Sequence, residues 1–293
     1  MKNVWLVGSD GMLGTQIKNK LTANSIDSYF SDKKIDITNP NILNEFTKNK
    51  NFDWIINCAA FTDVDKAENN QEDVFDINSG GAENLARIAI SKNATLIHFS
   101  TDYVYKGDKK NNYNESDNTD PLSIYGKSKL LGEKKIIKTT NKYFILRLSW
   151  LYGIHGKNFV KTIVHLLKNR KKIKVIDDQI GSPTYCEVLA ENIVKLINSN
   201  KKKYGIYNYS DEGKISWYDF ALEIKKNSLQ KGLLKNDKRI EPITSGEYKS
   251  KAKRPKNSFM NKSKIKKELK FKVKNWKTNL KKYFDEWGRI NYA

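Results

Sequence analysis

The chain has 293 residues, 38% hydrophobic and 30% charged, an ordinary globular composition that can bury a large core as one domain or two unequal ones. Its formal charge is +21, yet residues 1–150 hold 20 Lys/Arg against 19 Asp/Glu, and residues 151–293 hold 34 against 14. The excess is therefore confined to the second half, where basic runs such as Lys171-Lys172 and Lys201-Lys202-Lys203 lack regular aromatic interleaving and any known nucleic-acid module spacing.

These runs read as solvated surface rather than a nucleic-acid face, and a basic half would help attract an anionic substrate. No apolar stretch approaches the roughly 18–20 residues of a membrane span. The first residues do not read as a signal peptide, because Gly8 and Asp10 interrupt a short apolar run. Two cysteines, Cys58 and Cys186, have no metal-like spacing, so a reduced cytoplasmic setting is expected.

Short apolar runs alternate with longer amphipathic ones, which predicts βαβ units on a parallel sheet. Strands are expected at 4–7, 28–30, 54–57, 95–100 and 144–148. Helices are expected at 13–22, 40–49, 72–91 and 123–139. Between the first strand and first helix lies Val7-Gly8-Ser9-Asp10-Gly11-Met12-Leu13-Gly14. Gly8 would permit a tight turn, Gly11 a close approach to a pyrophosphate, and Gly14 tight helix packing. The helix N–H groups and dipole would then face the anion. After the second strand, Ser31-Asp32-Lys33-Lys34-Ile35-Asp36-Ile37 offers both an acid for a ribose 2′-hydroxyl and cations for a 2′-phosphate. NADH and NADPH both stay open, with Asp36 and Ile37 expected along the adenine end.

Small residues Ala59 and Ala60, after the third strand, would let a cofactor lie close to the backbone. The fourth strand ends in Ser100-Thr101-Asp102, and Tyr125 and Lys129 sit four apart on a helix, hence on one face. A phenol near a carbonyl can exchange a proton as hydride moves, and a nearby ammonium would stabilise the phenolate. Lys129 can also hold the nicotinamide ribose, and Thr101 can fix the same carbonyl oxygen.

Beyond residue 150 the pattern is less regular. Helices are expected at 160–167, 188–198, 217–229 and 276–287, short strands at 174–177 and 206–209, a turn-rich lead-in at 211–216, and loop over 241–262. The expected architecture is a Rossmann-type doubly wound parallel sheet over 1–150. A smaller irregular α/β substrate-binding lobe follows over 151–293, with some segments returning to the core.

Six segments carry a more specific resemblance. They are Asn57-Cys58-Ala59-Ala60-Phe61-Thr62-Asp63-Val64-Asp65-Lys66-Ala67-Glu68, Ser100-Thr101-Asp102-Tyr103-Val104-Tyr105 and Tyr125-Gly126-Lys127-Ser128-Lys129. Arg147-Leu148-Ser149-Trp150-Leu151-Tyr152, Asp178-Gln179-Ile180-Gly181-Ser182-Pro183-Thr184 and Arg254-Pro255-Lys256-Asn257-Ser258 follow in order. Together they resemble the extended short-chain dehydrogenase/reductases, and within them the dTDP-4-dehydrorhamnose reductase family. The resemblance implies NAD(P)H-dependent reduction of the C4 ketone of dTDP-4-dehydro-L-rhamnose, with Thr101, Tyr125 and Lys129 as catalytic residues. It places Gly8, Gly11, Met12, Leu13, Gly14, Asp36, Ile37, Ala59, Ala60 and Thr62 against the cofactor, and Val64, Asp102, Tyr103 and Trp150 against the sugar nucleotide. Arg254 would bind its diphosphate.

Some members of that family bind magnesium at a dimer contact through three glutamates. Glu187 matches one position and Glu286 another, but neutral Gln16 follows the glycine loop, which argues against a magnesium-bridged homodimer here. Related dehydratases place a second acid after the threonine–aspartate pair, where this chain has Tyr103. Two alternatives share the fold: an epimerase that retains its NAD, and a non-catalytic NADP-binding subunit like the regulatory subunit of methionine adenosyltransferase.

Overall fold

The computed structural model describes residues 2–199 and 201–292. Five strands build most of one parallel sheet: β1 (Val4–Val7), β2 (Ser28–Ser31), β3 (Trp54–Asn57), β4 (Thr95–Thr101) and β5 (Tyr143–Leu148). The order is β2-β1-β3-β4-β5, closed at the far edge by the strand Gly205–Tyr209, which pairs in parallel with β5. The chain winds from β1 outward to β2, then returns to the other side of β1 for β3. That reversal opens a crevice at the carboxyl ends of β1 and β3, the usual ligand position in such sheets.

Both sheet faces are covered, so the strands are almost wholly apolar. Val4 and Leu6 of β1 point to one face and pack with Leu13, Ile17 and Leu21 of helix α1 (Met12–Ala23) and with Leu189 and Ile193. Trp5 and Val7 point the other way, onto Leu85, Ala86 and Ala89. The chain beyond residue 150 has a core of its own, built from Tyr152, Ile163, Leu167, Phe220, Leu280 and Phe284 among others.

Three local expectations are revised. The single helix expected at 72–91 is broken into Gln71–Phe75, a π-helical turn Asp76–Gly81, and Ala82–Ser91. A Cβ on Gly81 would lie 2.4 Å from Ile37 Cδ1, so the widened turn fits over the Ile37 side chain. The expected loop from 241 begins inside a strand, Arg239–Ile243, paired in parallel with Lys172–Ile176. Pro242 is tolerated there because this sheet has only two strands and hence only edges. The partner strand starts two residues before the expected 174, since the outward lysine alternation already begins at Lys172.

Candidate active site

The glycine loop follows β1 directly. Gly8 adopts φ +73°, a left-handed conformation that glycine occupies freely, and a Cβ there would lie 2.7 Å from the Ala59 nitrogen. Gly14 faces the Gly8 carbonyl so closely that a Cβ would sit 2.0 Å from its oxygen. Gly11 differs: a Cβ would meet only the Gly8 oxygen at 3.4 Å, an ordinary contact, so its open side belongs to the crevice. Gly11 is also the N-cap of α1, and among the described residues no side chain caps that helix and no acid occupies its first turn. Its free N–H groups and positive dipole end therefore face an anion-sized opening.

That opening is one end of a cleft of about 580 Å³. Of the residues expected against a cofactor, Gly11, Met12, Leu13, Gly14, Ala59, Ala60 and Thr62 line it, and Gly8 does not. Asp36 and Ile37 do not line it. Asp36 is exposed and accepts hydrogen bonds from the Thr38 N–H and hydroxyl, both at 2.8 Å, while Ile37 is buried in the core. Lys33 and Lys34 are exposed beyond β2, and the Asp32 carboxylate is turned back to accept the Lys34 N–H at 2.8 Å.

Thr101 is the last residue of β4, and its hydroxyl oxygen accepts the Tyr103 N–H at 3.2 Å. The helix Ile124–Thr139 starts on an N-cap bond from the Gly126 N–H to the Ser123 hydroxyl, 3.1 Å. A Cβ on Gly126 would lie 2.4 Å from the Tyr103 carbonyl oxygen, so glycine lets this helix start press against the segment after Thr101. Tyr125 is thereby set facing Thr101, with Lys129 one turn deeper, and all three line the cleft.

The electrostatics of this trio depart from expectation. Burial pushes the Tyr125 phenol up to about 12; the Thr101 hydroxyl partly offsets this and the Asp102 carboxylate adds to it. Burial lowers the Lys129 ammonium to about 8, against the pull of Glu133 and Cys58. Lys129 Nζ is directed at His98 Nε2, 3.4 Å away, rather than acting to lower the phenol. The resting tyrosine is thus a firmly protonated acid at neutral pH. Asp102, beside it, is raised by burial to about 7, while its Oδ1 accepts from the Thr101 hydroxyl at 3.2 Å.

Val64, Asp102, Tyr103 and Trp150 all line the same cleft. Arg254 does not, but it braces that wall: its guanidinium forks onto Asp65, with Nη2 at 2.8 Å and Nη1 at 3.3 Å from the two carboxylate oxygens, and it also faces Tyr103. On its other side a second hollow of about 570 Å³ is rimmed by Lys249, Lys253 and Tyr248. The sequence reading missed Asn57, Ser149, Lys157 and Trp217, which also line the cleft. It also missed His98, a polar residue between the apolar Leu96, Ile97 and Phe99 of β4, a placement that was the one available hint.

A family model described as the RmlD substrate binding domain matches residues 1–288. The chain belongs to the RmlD family. It is 37% identical to a dTDP-4-dehydrorhamnose reductase of Aggregatibacter actinomycetemcomitans, over 96% of this chain and 98% of that protein. A second relative of the same name, from Escherichia coli (strain K12), is 33% identical over 97% of each chain. Among solved structures, a dTDP-4-dehydrorhamnose reductase from Bacillus anthracis str. Ames in complex with NADP superposes with a TM-score of 0.90 at 38% identity, covering 97% of this chain and 99% of that one.

The glycine cradle of this RmlD-family chain fits a dinucleotide, because the space beside Gly11 and the uncapped helix start is kept free of side chains. The glutamates do not fit magnesium. Lys20 forms an ion pair with Glu187, and Lys282 lies 3.6 Å from Glu187, 3.2 Å from Glu191 and 3.8 Å from Glu286. The Gln16 amide donates to Glu187, and the Tyr185 hydroxyl donates to Glu286 at 2.5 Å. Two ammonium groups already pair with the three acids and offset two of their charges, and among the described residues no group of three or more His, Cys, Asp or Glu is arranged to hold a metal.

Proposed function

We propose that this chain reduces the C4 ketone of dTDP-4-dehydro-L-rhamnose with NADPH or NADH, giving dTDP-L-rhamnose. One observation carries the chemistry: a buried, protonated Tyr125 faces Thr101 at the end of β4, in the same cleft as an open glycine cradle. Membership of the RmlD family, with full-length relatives named for this reaction, supplies the substrate.

A nicotinamide cofactor bound here would supply the hydride for C4. Gly11, Met12, Leu13, Ala59, Ala60 and Thr62, which line the cleft, would hold the cofactor, and the exposed Lys33 and Lys34 suit a 2′-phosphate. With substrate bound, the Thr101 hydroxyl would turn its proton from Asp102 Oδ1 to the ketone oxygen and fix that oxygen beside Tyr125. As C4 takes the hydride, the oxygen becomes an alkoxide in all but name, and the Tyr125 O–H proton moves to it. A phenol held near 12 loses no proton to solvent at pH 7, so the acid is present when the reduction needs it. Tyr103 follows Asp102, so the segment supplies no second acid for eliminating water.

The segment 1–150 supplies most of the cofactor site, and 151–293 closes the sugar end through Trp217 and the Arg254 brace. Arg254 and its neighbouring lysines suit the diphosphate. The two cysteines are both free thiols, which suits a reducing compartment such as the cytoplasm. Among the described residues no helix is long and apolar enough to cross a membrane. A homodimer of this chain would assemble without a magnesium bridge at Glu187.

The direct test follows NADPH and NADH oxidation with the 4-keto sugar nucleotide. Oxidation with at least one cofactor is expected, and none with either, in folded protein, would remove the reading. Tyr125→Phe is expected to cut kcat by about 10²–10⁴-fold while leaving the cofactor Kd nearly unchanged. Loss of cofactor binding instead would reassign Tyr125.

A further inference from the structure

The reaction leaves unused a buried histidine beneath Lys129. His98 lies in the middle of β4 and is 1% exposed. Its Nδ1 is 3.0 Å from the Asn57 side-chain nitrogen, and its Nε2 is 3.4 Å from Lys129 Nζ. The proton positions along this chain follow from one fixed donor. The backbone N–H of Ala59 reaches Asn57 Oδ1 at 3.0 Å, and a backbone N–H can only donate. Asn57 Oδ1 is therefore the acceptor there, and Asn57 presents its NH₂ to His98. His98 Nδ1 must carry the lone pair, so in a neutral imidazole the proton sits on Nε2. Burial, with the charge of Lys129, keeps His98 neutral.

The Nε2–H consequently points at Lys129 Nζ. An N–H facing an ammonium is repelled by it, and the same N–H facing an amine donates to its lone pair. We propose that Asn57 and His98 are positioning residues that favour the amine form of Lys129 by presenting an Nε2–H to it. The proposal rests on the reductase reading, because its use is to return a proton to Tyr125. Once Tyr125 has given its proton to the substrate oxygen, the phenolate needs a proton back; Lys129, one helical turn away in the same cleft, is the ammonium that can turn to supply it, becoming an amine that takes a proton from solvent. Because His98 stabilises the amine, the Lys129 ammonium releases its proton more readily.

The other groups around Lys129 act in known directions. Glu133, on the same helix, favours the ammonium, but its carboxylate is shared with Arg147 at 2.7 Å and with Ser100 at 2.5 Å. Cys58, after β3, is kept a neutral thiol by burial. Tyr125 is protonated, as described above. His98 is the neighbour that contributes a donor N–H on the strand side.

The tautomer can be read without catalysis. In ¹⁵N-histidine-labelled full-length protein at pH 7, NMR should show His98 neutral with its proton on Nε2. A proton on Nδ1, or an imidazolium, would overturn the proposal, and neither result depends on whether the sugar nucleotide is reduced. The second measurement is the pH profile of kcat. His98→Leu should move the basic limb upward by about one pH unit, because the ammonium no longer meets an N–H. His98→Gln can place an amide N–H at the same point and should keep the wild-type limb. A uniformly lower kcat with an unmoved limb in His98→Leu would reduce His98 to packing. Should that variant not fold, the NMR result alone decides.

Discussion

Trp150 lies face to face on Trp217, ring centroids 3.7 Å apart and planes 13° from parallel. Trp150 holds φ +45°, a left-handed conformation unusual for a bulky residue, and a Cβ on Gly181 would lie 2.7 Å from its ring. The indole is thus clamped between a second indole and a glycine, and both rings line the cleft. With its faces covered, the indole offers the cleft a ring edge, which suits an apolar part of a deoxysugar. Trp217→Ala removes the backing ring, and an aromatic pair is worth about 0.5–1.5 kcal/mol beyond its buried area. The expected result is a rise of roughly 3–10-fold in KM for the sugar nucleotide with the cofactor KM unchanged. A rise confined to the cofactor would show that the pair serves the other ligand.

Arg254 is held by Asp65 beside the cleft wall rather than inside it. Hydrogen bonds to charged groups contribute about 1.5–3 kcal/mol, so Arg254→Gln should raise the sugar-nucleotide KM by roughly 10–100-fold. Binding titrations with dTDP should weaken in parallel, while NADPH affinity stays the same. Unaltered dTDP affinity would mean that Arg254 only braces Asp65 and Tyr103.

The strand end that carries Thr101 is tied down by a buried ion pair. Arg147 donates to Glu133 at 2.7 Å and 3.0 Å, and to the Tyr105 hydroxyl at 2.8 Å. The two side chains are 3% and 1% exposed. Removing one partner strands a buried charge, which costs about 3–5 kcal/mol. Arg147→Met should lower the urea-unfolding free energy by that amount. A loss below about 1 kcal/mol would show that Glu133 protonates and needs no partner.

How much of this was legible in the sequence depended on whether the signal was local. β1 and β3 lie where their apolar runs end, because a strand buried on both faces leaves an uninterrupted hydrophobic stretch. The glycine loop was legible for the same reason: the turn, the close approach and the helix start are all consecutive. The π-helical turn was not, since it answers to Ile37, some forty residues earlier. The Arg239–Ile243 strand was hidden by Pro242 and by a partner far away in sequence. Trp217 and His98 acquire meaning only from what folding sets against them. The four-residue spacing that puts Lys129 on the helix face of Tyr125 was legible, but its neighbour on the strand, His98, changes what its charge can do.

The lysine-filled acidic cluster gives a prediction about metal. A ligand that binds only the folded state raises its stability, by about 2.7 kcal/mol at a hundred times its Kd. Because Lys20 and Lys282 already occupy the carboxylates, neither magnesium nor EDTA should shift Tm by more than about 1 °C. The double substitution Lys20→Met with Lys282→Met would free Glu187 and Glu191, and magnesium should then stabilise the protein. A magnesium-dependent Tm in the unsubstituted chain would show that the lysines swing away.

Asp102 gives the final prediction, and its sign follows from burial. The carboxyl is raised from 3.8 to about 7 in the folded protein, so folding favours its protonated form. Its contribution to stability is complete below about pH 4, declines as the pH rises toward about 7, and is constant above that, where the folded state carries a buried charge. Asp102→Asn removes the titration but keeps a side-chain oxygen for the Thr101 hydroxyl, which donates to Oδ1 at 3.2 Å. Urea unfolding at a series of pH values should show the variant gaining on the parent between about pH 4 and about pH 7, with the difference flat beyond. A difference that shrinks with rising pH would mean that the folded protein stabilises the carboxylate, and Asp102 would then be a standing charge facing the sugar.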